Sequence, residues 1–162
     1  MKAVVVHGPG DLRVDELPAP RTAPDRIAVR IVYGGICGSD LHYAADGRNG
    51  PYTVTEPLVL GHEVVGVVAQ VGPDVPDAPA VGTRVAIHPA TPCAPPGATT
   101  ATGLHLRPSG TYLGSASTRP HTQGGFAEAA ALVADLLRTL IRDQPGPAGR
   151  REPSVAANAA HP

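Results

Sequence analysis

Apolar and polar positions along the first half of the chain follow the two-residue period of strands. Residues 2–7 form an apolar run that reads as a strand, closed by a turn at Gly8-Pro9-Gly10-Asp11. Residues 12–17 alternate apolar and polar, the pattern of a half-buried strand, and Pro18, Pro20 and Pro24 end it. Residues 26–34 predict a third strand with Ile27, Val29 and Ile31 on one face. Ser39 is placed to cap a short helix over residues 40–45. Residues 62–71 predict a long apolar strand, Gly72-Pro73-Asp74 a turn, and residues 81–87 a turn followed by a strand. Strands joined by short turns argue for an antiparallel barrel rather than a βαβ unit. Residues 94–110 have loop-like or disordered composition. Residues 129–141 carry Leu132, Leu136, Leu137 and Leu140 at helical spacing, and residues 143–150 are linker-like.

Composition narrows the class. The 162 residues suffice for one domain with a real core. A net charge of -1 and a pI of 6.6 argue against a nucleic-acid or membrane-surface protein. No twenty-residue apolar run offers a membrane span, and the apolar start is too short for a signal peptide, so a cytoplasmic location is expected. Aromatics are only 3%, so the core must be built from Val, Ile, Leu and Ala, with modest stability expected. Two cysteines far apart make no disulfide scaffold.

The candidate chemistry lies in two short segments, Gly34-Gly35-Ile36-Cys37-Gly38-Ser39-Asp40-Leu41-His42 and Gly61-His62-Glu63. A thiol, an imidazole and a carboxylate together suit Zn²⁺, which accepts sulfur, nitrogen and oxygen donors. Cys37 and His62 are the expected ligands, with Glu63 a third ligand or a close neighbour of the metal. No CxxC pair supports the site, and a lone cysteine is ordinarily a small buried hydrophobe. Adjacent residues on a strand face opposite ways. His62 and Glu63 therefore reach one ion only if the chain bends near Gly61 or the pair precedes the strand proper. A cysteine just before a helix N-terminus is favoured as thiolate.

Gly61-His62-Glu63-Val64-Val65-Gly66, followed by Gly72 and Val75, fills the signature of zinc-containing alcohol dehydrogenases, and the segment from Cys37 to His42 resembles their upstream motif. The chain is similar to the medium-chain zinc dehydrogenases, above all the polyol branch with sorbitol and L-idonate 5-dehydrogenases. The similarity runs over residues 1–92 and returns at residues 112–128. It implies a mainly β fold with short helices, a GroES-like partly open barrel; a complete Rossmann domain is not expected, because the chain departs from its relatives in carrying no dinucleotide fingerprint. Residues 1–128 would form this catalytic domain, with residues 91–111 a divergent loop where relatives carry a structural-zinc lobe. Residues 129–162 would be a divergent, partly disordered or helical segment, although the resemblance itself implies strand after residue 128. Relatives with a structural zinc carry four clustered cysteines there. Cys93 stands alone, so that zinc is expected to be absent and Cys93 a free thiol.

The resemblance also implies roles. Ser39 and His42 match a proton-relay hydroxyl and imidazole, and Asp40 a carboxylate that orients the ligand histidine. The plainer readings are helix caps for Ser39 and Asp40 and a surface histidine for His42. Glu152, in Arg151-Glu152-Pro153, resembles a glutamate beside the catalytic zinc, or is a solvated charge in a frayed terminus. The implied reaction oxidises a secondary alcohol by hydride transfer to NAD or NADP. A dinucleotide fingerprint does not accompany it. The one early Gly-x-Gly, Gly8-Pro9-Gly10, has Arg13 where a third glycine should stand. Two readings follow: the catalytic domain of a zinc-dependent alcohol or polyol dehydrogenase, inactive alone, or a stand-alone zinc-binding GroES-like module without redox activity. A zinc-free quinone-reductase-like relative is a third, against which the intact ligand set speaks. The expected partner is a small-molecule alcohol or polyol, with oligomeric state open. The barrel face that packs on a cofactor domain in relatives is expected to expose apolar side chains and to lower solubility.

Overall fold

The computed structural model describes residues 1–91, 110–132 and 137–139. Strands β1 (Lys2–Gly8) and β2 (Asp11–Glu16) form an antiparallel hairpin. Its turn is closed by Gly10 at φ 70°, a backbone conformation natural to glycine. Strand β3 (Ile27–Gly35) leads to the helix α1 (Gly38–Asp46). Three short strands follow: β4 (Arg48–Asn49), β5 (Tyr52–Thr53) and β6 (Leu58–Val59). The long strand β7 (Glu63–Val71) precedes β8 (Arg84–Ile87), β9 (Ala90–Thr91), β10 (Thr111–Tyr112), β11 (Ala129–Leu132) and β12 (Leu137–Thr139).

The main sheet has the order β11-β3-β7-β8-β12, and β2-β1-β6 forms a second sheet. Every strand pairing among the described residues is antiparallel. Among the described residues the main sheet stays open, in keeping with a partly open GroES-like domain. The alternation predicted for β3 holds at its start: Ile27 and Val29 are fully buried. Register irregularities between Ala28 and Val29 and between Ile31 and Tyr33 then turn the strand's end outward.

One apolar cluster joins Ile27, Val29, Val64, Val68, Val85 and Ile87 across β3, β7 and β8. A second gathers Val6, Tyr43, Val54, Leu58 and Leu60 under α1. Phe126, the chain's only phenylalanine, packs against both. The core is thus the aliphatic one that the composition implies.

Two expectations are corrected. The N-cap of α1 is Cys37, not Ser39, and the helix begins at Gly38. The reason lies in Asp40, whose carboxylate accepts the Cys37 N–H at 2.9 Å and so fixes the helix start two residues before Ser39 could. The helical spacing of leucines after residue 128 does not give a helix at Ala129–Leu132 or Leu137–Thr139. Both are strands, because β11 pairs along β3 and β12 along β8, and sheet edges decide short apolar runs more strongly than spacing does. No helix among the described residues is long and apolar enough to cross a membrane.

Candidate metal centre

The site follows from the pairing of β3 with β7. Their antiparallel register sets Gly35 opposite Glu63. Cys37 lies two residues beyond the end of β3, and His62 one residue before the start of β7, so the sheet delivers both to one place. The bend that His62 and Glu63 need is present: Gly61 has φ 95° and β7 proper begins only at Glu63. A side chain at Gly61 would also collide with Phe126, its Cβ falling 2.3 Å from the ring's Cδ1. Backbone and packing therefore both demand glycine there.

One donor atom each from Cys37, His62 and Glu63 lies within 4.8 Å of the others. His62 is buried, Cys37 half-buried and Glu63 exposed. Zinc bonds of about 2.0–2.3 Å place tetrahedral donors roughly 3.5 Å apart, so small side-chain rotations close these three on one ion. The sulfur, nitrogen and oxygen set and its one-sided exposure fit a metal with an open position for water or substrate.

Asp40 ties the two ligand segments together. It is only 3% exposed. One carboxylate oxygen accepts the Cys37 N–H at 2.9 Å, and the other accepts the Gly61 N–H at 3.3 Å. The second oxygen also stands 3.7 Å from His62 Nδ1, an ion-pair distance. The buried carboxylate thus faces the imidazole edge and leaves its other edge to the cluster.

Tyr112 is the residue that spacing did not single out. Its ring lies 5.3 Å from the His62 ring at 57°. Burial pushes its phenol pKa up from 10.0, and the neighbouring Cys37, Glu63 and Asp40 charges push it further. In the sequence it opens the segment where the resemblance returns, just after the divergent loop, with only its aromatic character as a signal.

Ser39 sits half-buried in the first turn of α1, and His42 is exposed on the same helix. His42 pairs with Asp46 one turn on, Nδ1 to Oδ2 3.6 Å. Cys93 and Glu152 lie outside the described residues.

A sulfur–nitrogen–oxygen cluster at the end of an antiparallel strand pair, in an open β domain, is the plan of a zinc-type dehydrogenase catalytic domain. The chain belongs to the alcohol dehydrogenase GroES-like domain family, which matches residues 23–141. It groups with the zinc-type medium-chain enzymes of the polyol branch. Rat (Rattus norvegicus) sorbitol dehydrogenase is 47% identical over 90 residues, which cover 56% of this chain and 25% of that protein. The crystal structure of Escherichia coli L-idonate 5-dehydrogenase superposes with a TM-score of 0.75 at 31% identity, covering 85% of this chain and 39% of the other. An E. coli CFT073 alcohol dehydrogenase solved with the cofactor NADH gives a TM-score of 0.72 at 30% identity, covering 88% and 39%. The chain spans about a quarter of the length of the curated relatives it matches.

Proposed function

We propose that this chain is the catalytic domain of a zinc-dependent dehydrogenase acting on a secondary alcohol of a polyol, sorbitol or L-idonate in type, with NAD or NADP as hydride acceptor. Cys37, His62 and Glu63 hold the metal. The single observation that carries this is the convergence of their donor atoms within 4.8 Å. A bound zinc supplies Lewis-acid polarisation of the alcohol oxygen. Asp40 would orient His62, and the Ser39 hydroxyl and His42 imidazole would pass the alcohol proton outward; a bound NAD or NADP would supply the hydride acceptor. The nearness of Asp40 to His62 supports the first of these roles. The pairing of His42 with Asp46 leaves the relay resting on the resemblance and on the exposure of His42 to solvent. One zinc per chain is expected.

The second reading, a zinc-binding module without redox activity, draws on a specific observation. A dinucleotide site is built on parallel strands joined by a helix. Among the described residues all strand pairs are antiparallel and α1 is the one helix. The chain by itself is therefore expected to bind zinc and not to turn over alcohol.

Cobalt substitution and calorimetry with NAD(H) test both readings. The wild-type chain should take up one Co²⁺ with a thiolate-to-metal charge-transfer band that Cys37→Ser abolishes. Absence of any such band would end the metal-centre reading. Nucleotide binding with turnover by the isolated chain would end the claim that it is inactive alone.

A further inference from the structure

We propose that Gly35 is the positioning residue that makes Glu63 a direct metal ligand. The inference rests on the metal-centre reading above and goes beyond it, to what turns a strand residue toward the cluster. Glu63 is the first residue of β7, and the bend at Gly61 lets the preceding His62 and Glu63 approach one point, but Glu63 is exposed where His62 is buried, so its carboxylate still has to be brought over to the cluster. A residue directly opposite in an antiparallel pair normally puts its own Cβ about 4.5–5.5 Å from its partner's, and the two side chains share that face. Opposite Glu63 stands Gly35.

A Cβ built on Gly35 would lie 3.3 Å from the Glu63 Cβ and 2.7 Å from its Oε2. The carboxylate therefore occupies the volume that any side chain at position 35 would claim. With that volume free, Glu63 folds across β3 toward Cys37 and joins the cluster despite its place on the strand. The backbone does not itself need glycine here, since Gly35 is not among the residues with positive φ. Its neighbour Gly34 differs: a Cβ there would press on Phe126 and Val64, so it serves core packing. At Gly35 the atom that must yield most is the far end of a flexible glutamate, while the Glu63 Cβ at 3.3 Å asks for a shift of only a few tenths of an ångström. A methyl at Gly35 should thus spare the fold and displace one ligand.

The test uses the full chain as wild type, Gly35→Ala, Glu63→Ala and the double variant. Zn²⁺ and Co²⁺ affinities are read by chelator competition, with the Co²⁺ spectrum and the melting of the metal-free proteins alongside. Gly35→Ala should weaken metal binding by about tenfold or more with its metal-free melting unchanged, and should alter the Co²⁺ spectrum. Glu63→Ala should do the same, and the double variant should bind no more weakly than Glu63→Ala alone. Unchanged affinity and spectrum in Gly35→Ala would overturn the proposal. So would a loss that persists in full in the Glu63→Ala background, since it would then act through the strand. Should Gly35→Ala fail to fold, recovery in the double variant supports the clash and continued failure overturns it. Should the wild type bind neither metal, the metal-centre reading falls separately. Crystal structures of the metal-free wild type and Gly35→Ala then decide: a carboxylate driven away from Cys37 and His62 supports the positioning role, and one left in place overturns it.

Discussion

Asp40 accepts one backbone N–H from each ligand-bearing segment while facing His62. Hydrogen bonds to a buried charged group contribute more than neutral ones, and removing the carboxylate leaves two donors without it. Asp40→Ala should cost about 2–6 kcal/mol of unfolding free energy in urea titration, at about 1–3 kcal/mol for each of the two stranded donors. It should also weaken zinc binding by about 10–100-fold, because both ligands lose their common anchor. Asp40→Asn keeps one acceptor and should lie between. Tyr112 gives the pH dependence. Its phenol is raised in the folded chain by burial and then by the Cys37, Glu63 and Asp40 charges. A folded-state pKa above the unfolded one keeps its contribution in full below the unfolded value, near pH 10. That contribution is lost as pH rises through the higher folded value. Ultraviolet titration should show the Tyr112 phenol ionising late, a step that Tyr112→Phe removes. Were Tyr112→Phe to leave the late part of the titration unchanged, the geometry around His62 would be wrong.

At the scale of elements, the loop between β6 and β7 decides whether the ligands meet. Gly61→Ala imposes a strained φ, at about 1–3 kcal/mol, and also meets Phe126. Denaturation midpoints should fall accordingly, and the Co²⁺ band should weaken because His62 shifts with the bend. Much of this was legible in the sequence. The alternation at 27, 29 and 31 places β3, and the apolar run after His62 places β7. Cys37 and His62 become neighbours once those two strands pair. The helix start was not legible, because Asp40 fixes it by a hydrogen bond to the backbone of Cys37, and Ser39 has the commoner capping side chain. For β11 and β12 the residue spacing points to helix, and only the resemblance implies strand. Ala129, Ala130 and Ala131 carry no alternation, and strand forms there because β3 offers an open edge. Gly35 and Tyr112 were out of reach because their roles are contacts between segments distant in the chain, Gly35 opposite Glu63 across the sheet and the Tyr112 ring against His62, and periodicity says nothing of such partners.

Over the whole molecule, the outward turn of β3 leaves an apolar surface beside the metal centre. Val14, Val32, Tyr33 and Ile36 are 68%, 42%, 75% and 73% exposed. They line one groove of about 480 Å³ together with Val4, Ile31 and Phe126. The exposure of Val32, Tyr33 and Ile36 accompanies the irregularity between Ile31 and Tyr33, on the stretch of chain that leads to Cys37. Contiguous apolar surface favours association, and a net charge of -1 supplies little repulsion to oppose it. The isolated chain should therefore self-associate at concentrations where a charged domain of its size stays monomeric, and should bind an apolar fluorescent dye. The variant Val14→Lys with Tyr33→Lys adds two positive charges to that surface without touching Cys37, His62 or Glu63. It should reduce both dye binding and association, while the unfolding free energy moves by no more than about 0.5 kcal/mol per substitution. Light scattering and dye fluorescence on the two proteins decide the matter. A wild-type chain that is monodisperse and dark with the dye would mean that this surface is covered, and a lysine pair that unfolds the chain would mean that it is core.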